Sequence, residues 1–188
     1  RISIGVDDLE TRDRSYGVQY GAVDLIDGNS AFIGKFYDQN PNIPISGDLY
    51  ESLIEKFFIS APSMFMSREV LNDMNGYDEQ LAFEDFDLCI RSSRDFKYSF
   101  TEKTVIQKRI HSDNFSKKQK QFRNKLGSSI LLVCEKIFLL NRSVSEHKAL
   151  SRRIRYEIKK SLQYGNLKMC LQFYNLLKKV KSKTKEME

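Results

Sequence analysis

The stretch Leu81-Ala82-Phe83-Glu84-Asp85-Phe86-Asp87-Leu88-Cys89-Ile90-Arg91 sets three carboxylates within four positions of an otherwise apolar run. Read as a helix, it aligns Phe83, Phe86 and Ile90 on one face. Glu84, Leu88 and Arg91 share the neighbouring face, and Asp87 stands four residues before Arg91, within ion-pair reach. Glu84 and Asp85 then fall in the first turn, where the helix dipole favours negative charge. An acidic pair anchored there by buried aromatics can act as a general base, hold a metal or grip a hydroxyl. The same spacing also describes a plain amphipathic helix with a favourable acidic first turn.

A second group of polar side chains lies in Lys108-Arg109-Ile110-His111-Ser112-Asp113-Asn114-Phe115, a loop that keeps a guanidinium and an imidazole close together. His111 and His147 are the only histidines, which excludes a multi-histidine metal cage. Cys89, Cys134 and Cys170 are widely spaced and form no C-x-x-C pair. That argues for reduced thiols in a cytosolic setting, and against a zinc site or a disulfide frame.

Around these residues the elements can be laid out in order. Asp7 to Ser15 reads as a short polar helix, and Val18 to Ile26 as a strand rich in β-formers. Asp27-Gly28-Asn29-Ser30 is a turn signal, and Ala31 to Phe36 returns as the second strand of a hairpin. Asp38 to Gly47 reads as a loop, and Asp48 to Phe57 as a helix. After a break at Ser60-Ala61-Pro62, Ser63 to Met66 is a short buried strand. Ser67 is placed to cap a helix that Asn75-Gly76 ends. The acidic helix follows, closed by Asp95, and Phe96 to Gln107 reads as a strand.

From Ser116 the chain is helical in pattern. The spacing predicts one helix from Ser116-Lys117-Lys118-Gln119 to Leu140, with Phe122, Leu126, Ile130, Val133, Ile137 and Leu140 on its stripe. Ser143-Val144-Ser145-Glu146 is a capping box that starts a helix to about Tyr164, with Leu150, Ile154, Ile158 and Leu162 as its stripe. Leu167 to Val180 is a third helix, and Lys181 to Glu188 is expected to fray.

Charge divides the chain at the same place. The 188 residues carry a net charge of +6. Residues 1–115 hold 12 Lys/Arg against 20 Asp/Glu, and residues 116–188 hold 19 against 5. We therefore expect two regions, 1–115 and 116–188, the second basic enough to meet an anionic surface. No apolar run approaches a membrane span. Arg1-Ile2-Ser3-Ile4-Gly5 lacks the apolar core and cleavage site of a signal peptide, and the missing Met points to residues removed upstream.

Taken together, the run from about Val18 to Ser116 resembles the second half of a family 2 glycosyltransferase of the GT-A fold. Five segments carry the likeness, in order. Tyr20 to Asn29 looks like the strand and turn after the metal-binding motif. Ile59 to Glu69 looks like the acceptor-side segment. Asn75-Gly76-Tyr77-Asp78-Glu79 is similar to the Gly-Gly-Phe-Asp-Glu turn, with Asn75 in place of the first Gly. Phe83 to Leu88 matches the Glu-Asp motif ahead of a short helix, with Arg91 in place. Arg109-Ile110-His111 followed by Ser116 looks like the late Arg-x-His loop.

The resemblance implies an α/β fold: a partial GT-A (nucleotide-diphospho-sugar transferase-like) domain over 1–115, its donor-binding half largely missing, followed by an all-α tail over 116–188. It implies an enzyme that moves a sugar from a nucleotide-sugar donor to a hydroxyl of a glycan or glycolipid acceptor, with inversion, in polysaccharide or glycolipid synthesis. Asp85 would be the general base and Glu84 would shape the acceptor site. Ser60, Ala61, Asp87 and Arg91 would line the acceptor side. His111 would stand near the donor diphosphate, as metal ligand or hydrogen-bond donor, and Arg109 would support that loop or the phosphates. A divalent cation, Mn2+ or Mg2+, is implied, but the Asp-x-Asp motif that would hold it is absent from this chain. Only nine residues separate Asp8 from Val18, so Asp7 and Asp8 are read as part of a helix and not as that motif.

The implied setting is cytoplasmic and membrane-associated, with the basic tail on anionic lipid heads. The acidic front, and the lack of any RNA- or DNA-binding motif, argue against nucleic acid. Two further readings follow from the same residues. One is a non-catalytic interaction or membrane-surface-binding module left after loss of the donor half. The other is a membrane- or nucleic-acid-binding helical protein whose acidic segment is structural only.

Overall fold

A computed structural model describes residues 2–38, 45–110 and 123–188. The chain is of the α/β class, with one four-stranded mixed sheet and seven α-helices among the described residues. It forms two compact units. The first takes in Arg1–Leu49, Phe58–Tyr77 and Arg91–Gln121; the second takes in Tyr50–Phe57, Asp78–Ile90 and Phe122–Glu188.

The first unit is built on strand β1 (Tyr16–Ile26), which is buried over most of its length. Strand β4 (Lys97–Arg109) runs parallel along one edge of β1, from Tyr16↔Lys97 to Ile26↔Arg109. Parallel strands need a long crossover, which the intervening helical segments supply. On the other edge, β2 (Phe32–Lys35) and the two-residue β3 (Phe65–Met66) pair antiparallel with opposite ends of β1. The expected hairpin is present. Its turn is closed by Asp27, whose Oδ1 accepts from the amides of Asn29 (2.8 Å) and Ala31 (2.9 Å).

One face of β1 carries Tyr20 into an aromatic cluster with Tyr37, Phe58 and Phe100, at ring separations of 5.1–6.4 Å. Burial pushes the Tyr20 hydroxyl well above the usual tyrosine range, and it donates to the Ile45 carbonyl at 2.6 Å. Helix α1 (Ile2–Thr11) packs on β1 and β3. Its Gly5 is buried, because a Cβ there would stand 2.4 Å from the Phe65 ring. Asp7 and Asp8 fall inside α1, as expected. Asp8 accepts from Arg12 (3.0 Å) and from the Ser99 hydroxyl of β4. Burial raises its carboxyl, but those hydrogen bonds and the Arg12 charge outweigh it, so the net shift is downward.

Ser67 caps α3 (Arg68–Asp73) by accepting from the Val70 amide at 3.3 Å. The helix stops at Asn75 and Gly76, both in the left-handed region at φ 53° and 70°. Helix α4 (Glu84–Ser92) ends three residues ahead of Asp95. The chain tightens instead into a turn in which the Arg94 amide bonds to Arg91 and the Asp95 amide to Ser92.

The second unit is helical: α2 (Tyr50–Glu55), the start of α4, α5 (Arg123–Leu140), α6 (Val144–Gln163) and α7 (Leu167–Met187). The expected start of α5 at Ser116, and Phe122 on its stripe, lie outside the described residues. Ser143 and Glu146 form the capping box in full, each side chain bonded to the other's backbone. Leu150 and Ile154 are buried as the periodicity requires, but Leu162 is exposed. Part of the α6 core is instead the buried pair Arg153–Glu157, 2.8 Å apart.

Helix α7 does not fray after Val180 but continues to Met187. Thr184 extends the buried stripe of Phe173, Leu177 and Val180, and donates its hydroxyl to the Val180 carbonyl at 2.7 Å. Glu188 meets Lys148 at 2.7 Å. No helix among the described residues is long and apolar enough to cross a membrane.

Candidate functional site

Helix α4 begins at Glu84, so Glu84 and Asp85 stand in its first turn. The two adjacent carboxylates differ in surroundings. Glu84 is exposed, and Asp85 is partly buried. Desolvation pushes the Asp85 carboxyl up to about 6, the Glu84 charge adds to the rise, and the Phe86 amide at 2.8 Å partly offsets it. A carboxylate tuned in this way is ionised at neutral pH, yet basic enough to take a proton from a hydroxyl.

Aromatic rings form the floor of this turn. Phe57, Phe83 and Phe86 contact one another at centroid distances of 5.2–5.4 Å. Phe86 is fully buried, and the Arg153 guanidinium lies 4.7 Å above its ring. Phe57 and Phe83 remain partly open to solvent. Behind the first turn the expected amphipathic pattern gives way to burial all round, since Phe86, Asp87, Leu88, Cys89 and Ile90 are all buried.

Asp87 is 1% exposed, and its Oδ1 accepts from Lys136 Nζ at 2.7 Å. Lys136 also donates to Asp78 at 2.8 Å. Within the second unit, Asp87 therefore joins α4 to α5. Arg91 belongs to the first unit and uses its guanidinium as a fork. One nitrogen donates to the Met74 carbonyl (2.5 Å) and another to that of Gly76 (2.9 Å), which fixes the turn after α3.

Ser60 and Ala61 open a 3-10 turn over Ala61–Ser63. The Ser60 carbonyl accepts from both the amide (2.8 Å) and the hydroxyl (2.7 Å) of Ser63. Arg109, at the end of β4, donates to the carbonyls of Asp27 (2.7 Å) and Gly28 (3.1 Å) and to the Ser30 hydroxyl (3.0 Å). It thereby clasps the hairpin turn. His111 lies outside the described residues.

The implied divalent cation finds no donor set here: among the described residues, no three His, Cys, Asp or Glu groups converge. An open cleft of about 370 Å³ in the first unit is lined by Val6, Arg14, Tyr16, Phe65, Ser67 and Glu69, among others. None of the described site candidates lines it.

Three contributors escape the sequence pattern. Lys136, Arg153 and Phe57 lie tens of residues from α4 and carry no motif. A weak signal exists only for Arg153, a charge at a position where the α6 periodicity points inward. A scan of protein-family models gives no match to this chain, and a search of curated proteins gives none either.

Proposed function

We propose that this chain is the acceptor-side part of a family 2 inverting glycosyltransferase of GT-A type, with Asp85 as its base. In this reading an acceptor hydroxyl attacks the anomeric carbon of the donor. Asp85 takes the hydroxyl proton, and the bond to the nucleoside diphosphate breaks, the electron pair leaving with the diphosphate oxygen. Glu84 accepts hydrogen bonds from the acceptor, and the open faces of Phe57 and Phe83 meet its apolar side. Asp87, Arg91, Ser60 and Ala61 act as positioning residues, holding the acceptor-side segments through the contacts given above. Arg109 steadies the loop leading to His111. The acceptor is a glycan or glycolipid, and the setting is cytoplasmic, which Cys89, Cys134 and Cys170, none of them in a disulfide, support.

The observation that carries this reading is the pairing at the start of α4: one carboxylate in solvent, and its neighbour half-buried with a pKa near 6. The test is turnover, by the full-length parent that contains this chain, of a panel of nucleotide-sugars with Mn2+ and glycan or glycolipid acceptors, read as nucleoside diphosphate release. A general base contributes roughly 100- to 10,000-fold, so Asp85→Asn should lower kcat by that factor and leave the fold intact. Unchanged rates would remove Asp85 as the base. Silence of that parent across the panel would favour the interaction module.

A further inference from the structure

Helix α7 has two stripes. The inner one, Met169, Phe173, Leu177, Val180 and Thr184, is buried in the second unit. The outer one, Leu167, Leu171, Tyr174, Lys178, Lys181 and Lys185, recurs at helical spacing and is exposed throughout. Its first half is apolar: Leu167 is 66% exposed and Leu171 62%. The turn that joins α6 to α7 adds two more exposed residues, Leu162 and Tyr164. A helical hairpin that buries its inner stripe well has no folding reason to present three leucines at its tip.

The charge around this patch is predominantly positive, with Glu186 beside its far end paired to Lys183 at 3.4 Å. Between Arg155 and Lys185 there are nine Lys/Arg and a single acid, Glu157. That acid is buried and bound to Arg153. Lys160 lies over the rings of Tyr156 (5.5 Å) and Tyr164 (5.9 Å), and Lys178 over Tyr174 (5.2 Å). The tyrosines thus stand between the leucines and the ammonium groups, an order that matches the boundary between acyl chains and lipid head groups.

We propose that the outer face of α7, with the α6–α7 turn, is an interfacial anchor for an anionic lipid bilayer. Leu162, Leu167 and Leu171 enter the acyl boundary, and Tyr164 and Tyr174 sit at head-group level. Lys178, Lys181 and Lys185 reach lipid phosphates over the last stretch of a stripe about 27 Å long, counted from Leu167 to Lys185. This surface stands whether or not the sugar-transfer reading does. A second copy of the chain is the poorer occupant, because a two-fold contact through this stripe would set the lysines against each other if parallel, or bury them on the leucines if antiparallel. Nucleic acid would use the rings and the lysines but has no place for three aliphatic side chains.

The chain has no tryptophan, so Leu171→Trp gives a reporter at the centre of the patch. The position is exposed, and circular dichroism confirms the helix content of each variant before use. The full-length variant is titrated with vesicles of phosphatidylcholine, with and without phosphatidylglycerol. The expected result is a blue-shifted emission with the anionic vesicles only, reversed by high salt. Adding Lys178→Glu, Lys181→Glu and Lys185→Glu should weaken the apparent affinity at least roughly tenfold. Leu167→Glu should reduce the shift with net charge nearly kept. Flotation of the unmodified chain with the same vesicles should agree. Three results would overturn the proposal: no shift with anionic vesicles, a shift that grows with protein concentration alone, or a shift with an oligonucleotide but not with vesicles.

Discussion

Lys136 and Asp87 lie 49 positions apart in the chain and 2.7 Å apart in space. The carboxylate is buried at 1% exposure, while the ammonium keeps a partial view of solvent. Removing the lysine would leave a buried charge without this partner, a change that costs about 3 kcal/mol in comparable settings. Lys136→Met should therefore lower stability by that amount in urea titration. Asp87→Asn combined with Lys136→Met should recover part of it, because the buried charge is then gone while a hydrogen-bonding side chain remains. A double variant no better than the single one would show that the pair does not act as a unit.

Asp85 gives a prediction in pH. Its folded-state pKa, about 6, lies above the unfolded value near 3.8, chiefly through burial. The folded state therefore binds the proton more tightly. The cost of ionising Asp85 is absent below pH 4, grows between 4 and 6, and is complete above 6. Asp85→Asn should raise Tm at pH 7.5, corresponding to about 1–2 kcal/mol once solvent screening is allowed for. It should leave Tm at pH 4 nearly unchanged. Under the proposed function, kcat/KM of the full-length parent falls on the acid side with a pKa near 6.

Arg91 holds the carbonyls of Met74 and Gly76 with separate nitrogens. Lysine keeps the charge but cannot reproduce the fork. Arg91→Lys should cost about 1–2 kcal/mol. It should also speed amide exchange at residues 75–77 more than elsewhere in the first unit. Exchange that stays uniform would mean the turn is held by its own left-handed residues.

Gly5 marks the closest approach of α1 to β3. A methyl group there would meet the Phe65 ring at 2.4–2.8 Å, including its Cβ, so the ring cannot simply swing away. Gly5→Ala should destabilise by about 1–3 kcal/mol despite the gain in helix propensity. Gly5→Ala with Phe65→Leu should recover part of that loss, measured by thermal unfolding.

Local signals in the sequence translated well. β-branched and aromatic residues gave β1, Asp27 to Ser30 gave the hairpin turn, and Ser67 and Ser143 gave helix starts with the cap bonds in place. Such features depend on a few neighbouring residues. What escaped depends on distant ones. Spacing points Asp87 at Arg91 on its own helix, but it carries no sign of Lys136, which α5 brings in from 49 positions away. Arg153 and Glu157 were read past because charges seldom lie inside; each is tolerated there because the other is present. Leu162 fits a core period yet faces out, and Thr184 looks polar yet faces in, because the packing of α6 on α7 decides the register. At the site, the acidic first turn of α4 was legible, but the burial that separates Asp85 from Glu84 was not.

The alternation of the chain between its two units has a consequence for synthesis. Leu53, Ile54 and Phe86 belong to the second unit and are fully buried there. Helix α6, which packs on α2 and sends Arg153 over Phe86, comes far later in the chain. On the ribosome these side chains emerge long before their cover has been translated. The nascent protein thus carries exposed apolar surface until α6 emerges, an interval in which it is prone to misassociate. A pause in translation before Val144 would lengthen that exposure, and one placed after α6 has cleared the ribosome would not.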